Sequence, residues 1–167
     1  LNASLESGAL SGPDRGFLTM LVYGTLRMRG RLDWVIKSFY KGDAGRLETG
    51  LRNILRTGLY QVFFMDRVPD FAAVNESVKL ARKRFPGRES LVNAVLHQAL
   101  RNRERIRYPD PDKEPGLFIS VYHSHPLWLV EKFISVFGAY GALALCRANN
   151  EIPPVTLRVN RLKAQTR

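Results

Sequence analysis

Apolar residues recur three and four positions apart through most of the first hundred residues, the pattern of helices with one buried face. Phe17, Leu18, Leu21, Val22 and Leu26 trace such a stripe and predict a helix over 14–28, with Asp14 near its start and Gly30 as its stop. Leu32, Val35, Ile36 and Phe39 predict a second over 32–40, and the glycines at 42 and 45 mark a turn. The widest stripe belongs to 47–65, through Leu51, Ile54, Leu55, Leu59, Val62 and Phe63, so this segment is read as the central core helix. Gly58 lies inside it at a cost of about 1 kcal/mol relative to Ala, which implies close approach of another helix. Pro69 breaks the pattern and Asp70 is the expected N-cap of a helix over 72–85 carrying Val74, Val78 and Ala81. After Pro86 and Gly87 comes a helix over 89–107 with Leu91, Val92, Val95, Leu96, Ala99 and Leu100 inward.

The texture then changes. Residues 108–116, YPDPDKEPG, are rich in proline and acid and read as a linker or long exposed loop. Pro126 opens a helix with Trp128, Leu129, Phe133, Ile134 and Phe137, and Gly138 divides it from a shorter helix reaching Asn149. Pro153 and Pro154 end helicity, and Val155 to Val159 form a short strand-like run. A lone strand does not bury itself, so its pairing partners are expected beyond this chain. The expected fold class is all-α, a helical bundle over 1–107, with 108–118 as linker and 119–167 as the start of a second unit.

Charge adds a functional direction. Twenty-six Lys and Arg against 15 Asp and Glu give a formal net charge of +11, a field that favours anionic partners, nucleic acid ahead of a membrane surface. No run of eighteen apolar residues predicts a membrane span, and no secretory signal pattern is visible. One cysteine, Cys146, excludes an internal disulfide, and a reducing, cytoplasmic setting is expected. The chain opens on Leu1 rather than Met, so its natural start is expected upstream.

Candidate chemistry is sparse. Glycines stand singly, so no cofactor-binding turn and no P-loop is present in the sequence. Cys146 lies in an apolar helical run and reads as a buried, inert thiol. His123 and His125 lack a third ligand and read as part of a helix start around Ser124 and Pro126, so neither a catalytic nor a metal site is expected. The arginines form clusters: RMRGR at 27–31, KLARKRFPGRE at 79–89 and RNRERIR at 101–107. Arginine's planar fork grips phosphate at two points. Arg15, Arg27, Arg31, Arg82, Lys83, Arg84, Arg101 and Arg105 are the candidate phosphate contacts, with Arg101 and Arg105 expected on one helix face. The ends of these helices are expected to carry few exposed aromatics, so base stacking is not advertised, and no recognition helix succeeds a tight turn, so no DNA partner is expected.

LVYGTLRMRGRLDWVI (21–36), ILRTGLYQVFFMDRVPDFAAVNESV (54–78) and LVNAVLHQALR (91–101) resemble the NusB-like domain that opens the Sun/Fmu (RsmB) family of ribosomal RNA methyltransferases. Residues 122–160 resemble the next segment of that family, which free-standing NusB antitermination factors lack. The resemblance implies a NusB-like bundle and, after it, a truncated helix-helix-strand start of an RRM-like subdomain. It also implies a parent activity, S-adenosylmethionine-dependent methylation of C5 of a cytosine in small-subunit ribosomal RNA, with catalysis and cofactor on a downstream domain. No cofactor is expected on this chain, and Cys146 matches no catalytic motif of the family. The expected partners are ribosomal RNA and the downstream catalytic domain, with no membrane. Docking on that domain, or antitermination, are the alternative roles. Two departures stand out: only twelve residues precede Pro13, so an early RNA-binding helix of the family is expected to be missing or shortened, and His97 stands where the family often has arginine.

Overall fold

The structure is a computed structural model and describes residues 10–152 and 158. The expected strand, apart from Arg158, and the shortened N-terminal helix fall outside the described residues. Seven α-helices are described: α1 (Gly12–Arg27), α2 (Arg29–Phe39), α3 (Thr49–Phe64), α4 (Asp70–Arg84), α5 (Glu89–Arg101), α6 (Pro115–Tyr122) and α7 (Leu127–Asn149). Single 3-10 turns lie at Ala44–Arg46 and Arg103–Arg105.

The wide apolar stripe makes α3 the axis of the bundle. Leu51, Ile54, Leu55, Leu59 and Val62 are all buried, and α3 packs against α1, α2, α4 and α5. The missing side chain of Gly58 is where α4 and α5 close in. A Cβ there would lie 2.6 Å from Ser77 Oγ and 3.1 Å from a Leu96 methyl. Phe85, at the end of α4, packs over Gly50 at the start of α3, so consecutive helices run up and down. Leu32, Val35, Ile36, Val74, Ala81, Val92, Val95, Leu96 and Ala99 complete this core. A second, smaller core joins α6 to α7 through Ile119, Val130, Ala142 and Cys146. Burial pushes the Cys146 thiol pKa up, as an inert core thiol requires.

Several boundaries differ from the sequence expectation. Gly30 does not stop α1. The break is Met28, whose N–H donates to the Gly24 carbonyl, and α2 begins at Arg29. Gly30 instead lets α2 meet the turn between α6 and α7: its N–H donates to Ser124 Oγ at 2.6 Å, and a Cβ would crowd Ser124 at 3.1 Å. Asp70 is the first residue of α4, behind Pro69 as N-cap, where its carboxylate still faces the positive end of the helix. Pro126 likewise caps α7 rather than entering it.

The helix expected over 89–107 ends at Arg101. Asn102 Nδ2 donates to the Gln98 carbonyl at 2.9 Å, and Ile106 turns inward onto the core. Arg101 and Arg105 therefore share no helix face. The stretch read as linker contains the first turn of α6, and Tyr108 and Pro109 within it are half-buried and buried. Gly138 breaks α7 with φ +71°, ψ 171°, at the division the sequence indicated.

Candidate nucleic-acid interface

Positive charge is spread, and some of it is structural. Arg56 holds Asp33 through two hydrogen bonds of 2.7 Å, which ties α2 to α3. Arg52 Nη2 donates to the carbonyls of Ala44, Gly45 and Leu47 and closes the turn before α3. None of the eight candidate phosphate contacts is in an ion pair among the described residues, whose salt bridges use Arg46, Arg56, Lys79 and Lys113.

Those eight fall at separate places. Arg82, Lys83 and Arg84 occupy the last turn of α4 and are exposed, with exposed Arg88 just beyond. This is the end of the bundle where α3 starts. Arg101 and Arg105 lie at the opposite end, one α4 length away, about 22 Å at 1.5 Å per residue for 15 residues. Arg103 there donates to the Phe63 carbonyl at 3.1 Å and lies over the Phe63 ring, while Arg105 is exposed. Arg27 and Arg31 sit at the α1–α2 junction, beside Tyr60 and Phe64 of the last turn of α3. Arg15, in the first turn of α1, donates its Nε–H to the Leu10 carbonyl and lines a recess along α1 whose other end holds Arg27 and Tyr60.

The α1–α2 junction is where the helices meet in a cleft. The Arg31 guanidinium lies 3.9 Å from the centre of the Tyr122 ring, with Phe64 and Tyr108 at 5.3 and 5.4 Å. Its Nε donates to the Tyr108 hydroxyl at 3.1 Å. Tyr122 in turn packs edge-on to Tyr108 and stacks on Phe118. Cation–π contact with three rings fixes this arginine and leaves its charge in place. Arg27 Nη1 donates to the Asn150 carbonyl at 3.2 Å, and Asn150 Nδ2 donates to the His123 carbonyl at 2.7 Å. Arg147, on the last turn of α7, lines the same cleft.

The electrostatics of the cleft show in its titratable groups. Burial, reinforced by His125, Arg31 and Arg147 nearby, holds the His123 pKa below the ordinary histidine value. Burial raises the Tyr60 phenol and Arg27 partly offsets that rise. His125 Nδ1 lies 2.7 Å from the His123 carbonyl, so the pair serves the turn into α7.

The sequence singles out Arg27 and Arg31 and misses Tyr60, Phe64, Tyr122 and Arg147 as members of one cleft. Their positions span more than eighty residues, and no local spacing joins them. His123 draws attention in the sequence only as a weak metal ligand, and its place between the two arginine-bearing helices is invisible there. The rings of the cleft are half-buried and arrive from α3, α6 and the 108 segment, so no spacing near the arginines announces them.

Among known families, residues 1–101 match the model of the NusB family, and residues 125–167 match that of the Methyltr_RsmF/B-like, ferredoxin-like domain. The chain is 36% identical over 165 residues to the probable ribosomal RNA small subunit methyltransferase B of Bacillus subtilis (strain 168), covering 98% of the chain and 36% of that relative. It is 35% identical over 165 residues to the protein of the same name from Synechocystis sp., again covering 98% of the chain and 36% of the relative. It is 35% identical over 164 residues to the ribosomal RNA small subunit methyltransferase B of Pseudomonas putida, covering 96% and 36%. The chain thus spans about a third of the length of these curated relatives.

Proposed function

We propose, on the premise that this chain belongs to the NusB family, that it binds ribosomal RNA and orients it for an S-adenosylmethionine-dependent cytosine-C5 methyltransferase of which it is the N-terminal, non-catalytic region. The observation that carries the RNA part is the charge arrangement: exposed arginines at both ends of the bundle, unpaired with carboxylates among the described residues, on a chain of net charge +11. Arg15, Arg27, Arg31, Arg82, Lys83, Arg84, Arg101 and Arg105 remain the proposed phosphate contacts. The proposed division places the bundle in 1–107, a connector in 108–118 and the start of the second unit in 119–167.

The described residues do not fit S-adenosylmethionine. They contain no strand running into a glycine-rich turn, and the glycines stand singly. Methyl transfer is accordingly assigned to the parent protein outside this chain, and a cytoplasmic setting goes with that assignment. α7 is long and apolar enough by composition to cross a membrane. Its interior break at Gly138 would leave backbone polar groups unsatisfied in lipid, which favours the RNA partner over a bilayer.

The test is the salt dependence of binding to single-stranded RNA. With about four phosphates neutralised, log K falls against log salt with a slope near −3. A flat dependence overturns the phosphate grip.

A second reading has one observation in its favour. Trp128, Val136 and Phe137 of α7 are 68%, 63% and 59% exposed, apolar surface suited to docking on the catalytic domain. Deleting residues 1–107 from the parent tests the first reading, and Trp128→Ser with Phe137→Ser in the parent tests the second. Lost RNA affinity supports orientation of RNA, whereas lost thermal stability with affinity retained supports docking.

A further inference from the structure

The arginine cleft does not stand alone. Its volume is about 320 Å³, and a second recess of about 540 Å³ adjoins it between α6 and α7. The two share Tyr122, His123, Arg147 and Glu151. The first recess is cationic, lined by Arg27, Arg31 and Arg147. The second is mostly apolar, lined by Phe118, Leu143 and Tyr140, and Tyr140 is 86% exposed.

We propose that these adjoining recesses form a subsite for one unstacked nucleotide of single-stranded RNA, with its phosphate against Arg27 and Arg147 and its base on Tyr140 in the apolar recess. The inference rests on the RNA reading above and names a place for it. The Arg147 side chain makes no hydrogen bond or ion pair among the described residues, and the Arg27 guanidinium donates one hydrogen bond, to the Asn150 carbonyl, so both have donors to offer a phosphate. Arg31 is held in its ring cage and adds its charge to the same recess. Glu151 is the opposing carboxylate on the shared rim, and it separates a bound phosphate from the base side by like-charge repulsion. A tyrosine that is mostly exposed beside an apolar wall offers a stacking face to any base, without sequence preference.

His123 reports occupancy. It lies on the wall shared by both recesses, and the groups facing it are His125, Arg31 and Arg147, with Arg27, Tyr60 and Glu151 across the cleft. A bound phosphate offsets the surrounding positive charge and raises its pKa. Protonation then favours the bound state, so affinity rises as pH falls from the raised pKa of the bound state towards the free value, which lies below that of an ordinary histidine.

The experiment measures binding of a uridine pentanucleotide to the full 167-residue chain, together with the NMR titration of His123 with and without uridine 5′-monophosphate. Arg147→Ala and Tyr140→Ala are each expected to weaken pentanucleotide binding about tenfold, Tyr140→Phe to restore it, and Lys132→Ala, an equal charge loss elsewhere on α7, to change it far less. The nucleotide is expected to raise the His123 pKa in the wild type and not in Arg147→Ala. If the wild type binds RNA with the expected salt slope while these variants bind equally well and His123 does not respond, the subsite is overturned and the RNA reading stands. If the wild type binds no RNA, both fall. Retained helical circular dichroism in each variant keeps a folding failure from being read as a lost contact.

Discussion

Two glycines with similar surroundings in the sequence have different physical duties. Gly58 sits in mid-helix where Ser77 and Leu96 approach, and Ser77 Oγ is committed to the Ala73 carbonyl at 2.7 Å. Gly58→Ala gains about 1 kcal/mol of helix propensity but overpacks a closed core at a cost of about 1–3 kcal/mol. The crowding wins here, because Leu96 is fully buried and has no room to retreat. A lower urea midpoint with an unchanged m-value is the expected result, and a stabilised variant would show that the helices do not touch there. Gly30 looks like a helix stop in the sequence and is instead a contact point for Ser124. The same distinction applies to cations. Arg52 and Arg56 spend their donors on carbonyls and on Asp33, whereas Arg82 and Arg84 present theirs to solvent. Residue type alone does not separate a structural arginine from a solvent-facing one; the neighbours of the guanidinium do.

At the scale of elements, the long amphipathic helices are legible in the sequence and the short or apolar ones are not. The stripe of α3 predicts its burial because each apolar residue there recurs at helical spacing. α6 escapes, since eight mostly apolar residues carry no periodic polar face to betray a helix. The end of α5 escapes as well, because an asparagine cap and an inward isoleucine do not disturb the pattern of alternating arginines. The break in α7 is legible at Gly138 and has a backbone cause: φ +71° is open to glycine and strained for other residues. Nothing lies within 4 Å of a Cβ at Gly138, so Gly138→Ala costs about 1–3 kcal/mol through the backbone alone, or else straightens α7. Either outcome loosens the small α6–α7 core, and its buried thiol reports on it. Cys146 in the Gly138→Ala variant is expected to react with a disulfide reagent several-fold faster than in the wild type. Equal rates and equal melting would mean that the kink does not set this packing.

Over the whole molecule, the bundle separates basic groups that lie close in sequence and gathers others that lie far apart. Arg84 and Arg101 are divided by the length of α5, whereas Arg27 and Arg147 line one cleft. If the α4 tip contributes to the RNA grip, replacing Arg82, Lys83 and Arg84 together by alanine flattens the log K against log salt slope by about 2, at roughly 0.7 per phosphate on single strands. An unchanged slope would confine binding to the other end of the bundle. The sequence by itself determined the all-helical bundle, its central helix and the strongly basic character of the chain, because helical periodicity and charge are local properties. Tertiary structure decided which arginines are engaged internally, that Tyr60, Phe64, Tyr108 and Tyr122 surround the α1–α2 junction, and that two recesses adjoin at His123. Those relations depend on how helices distant along the chain pack their faces together, and the spacing of residues along one chain carries no record of that geometry.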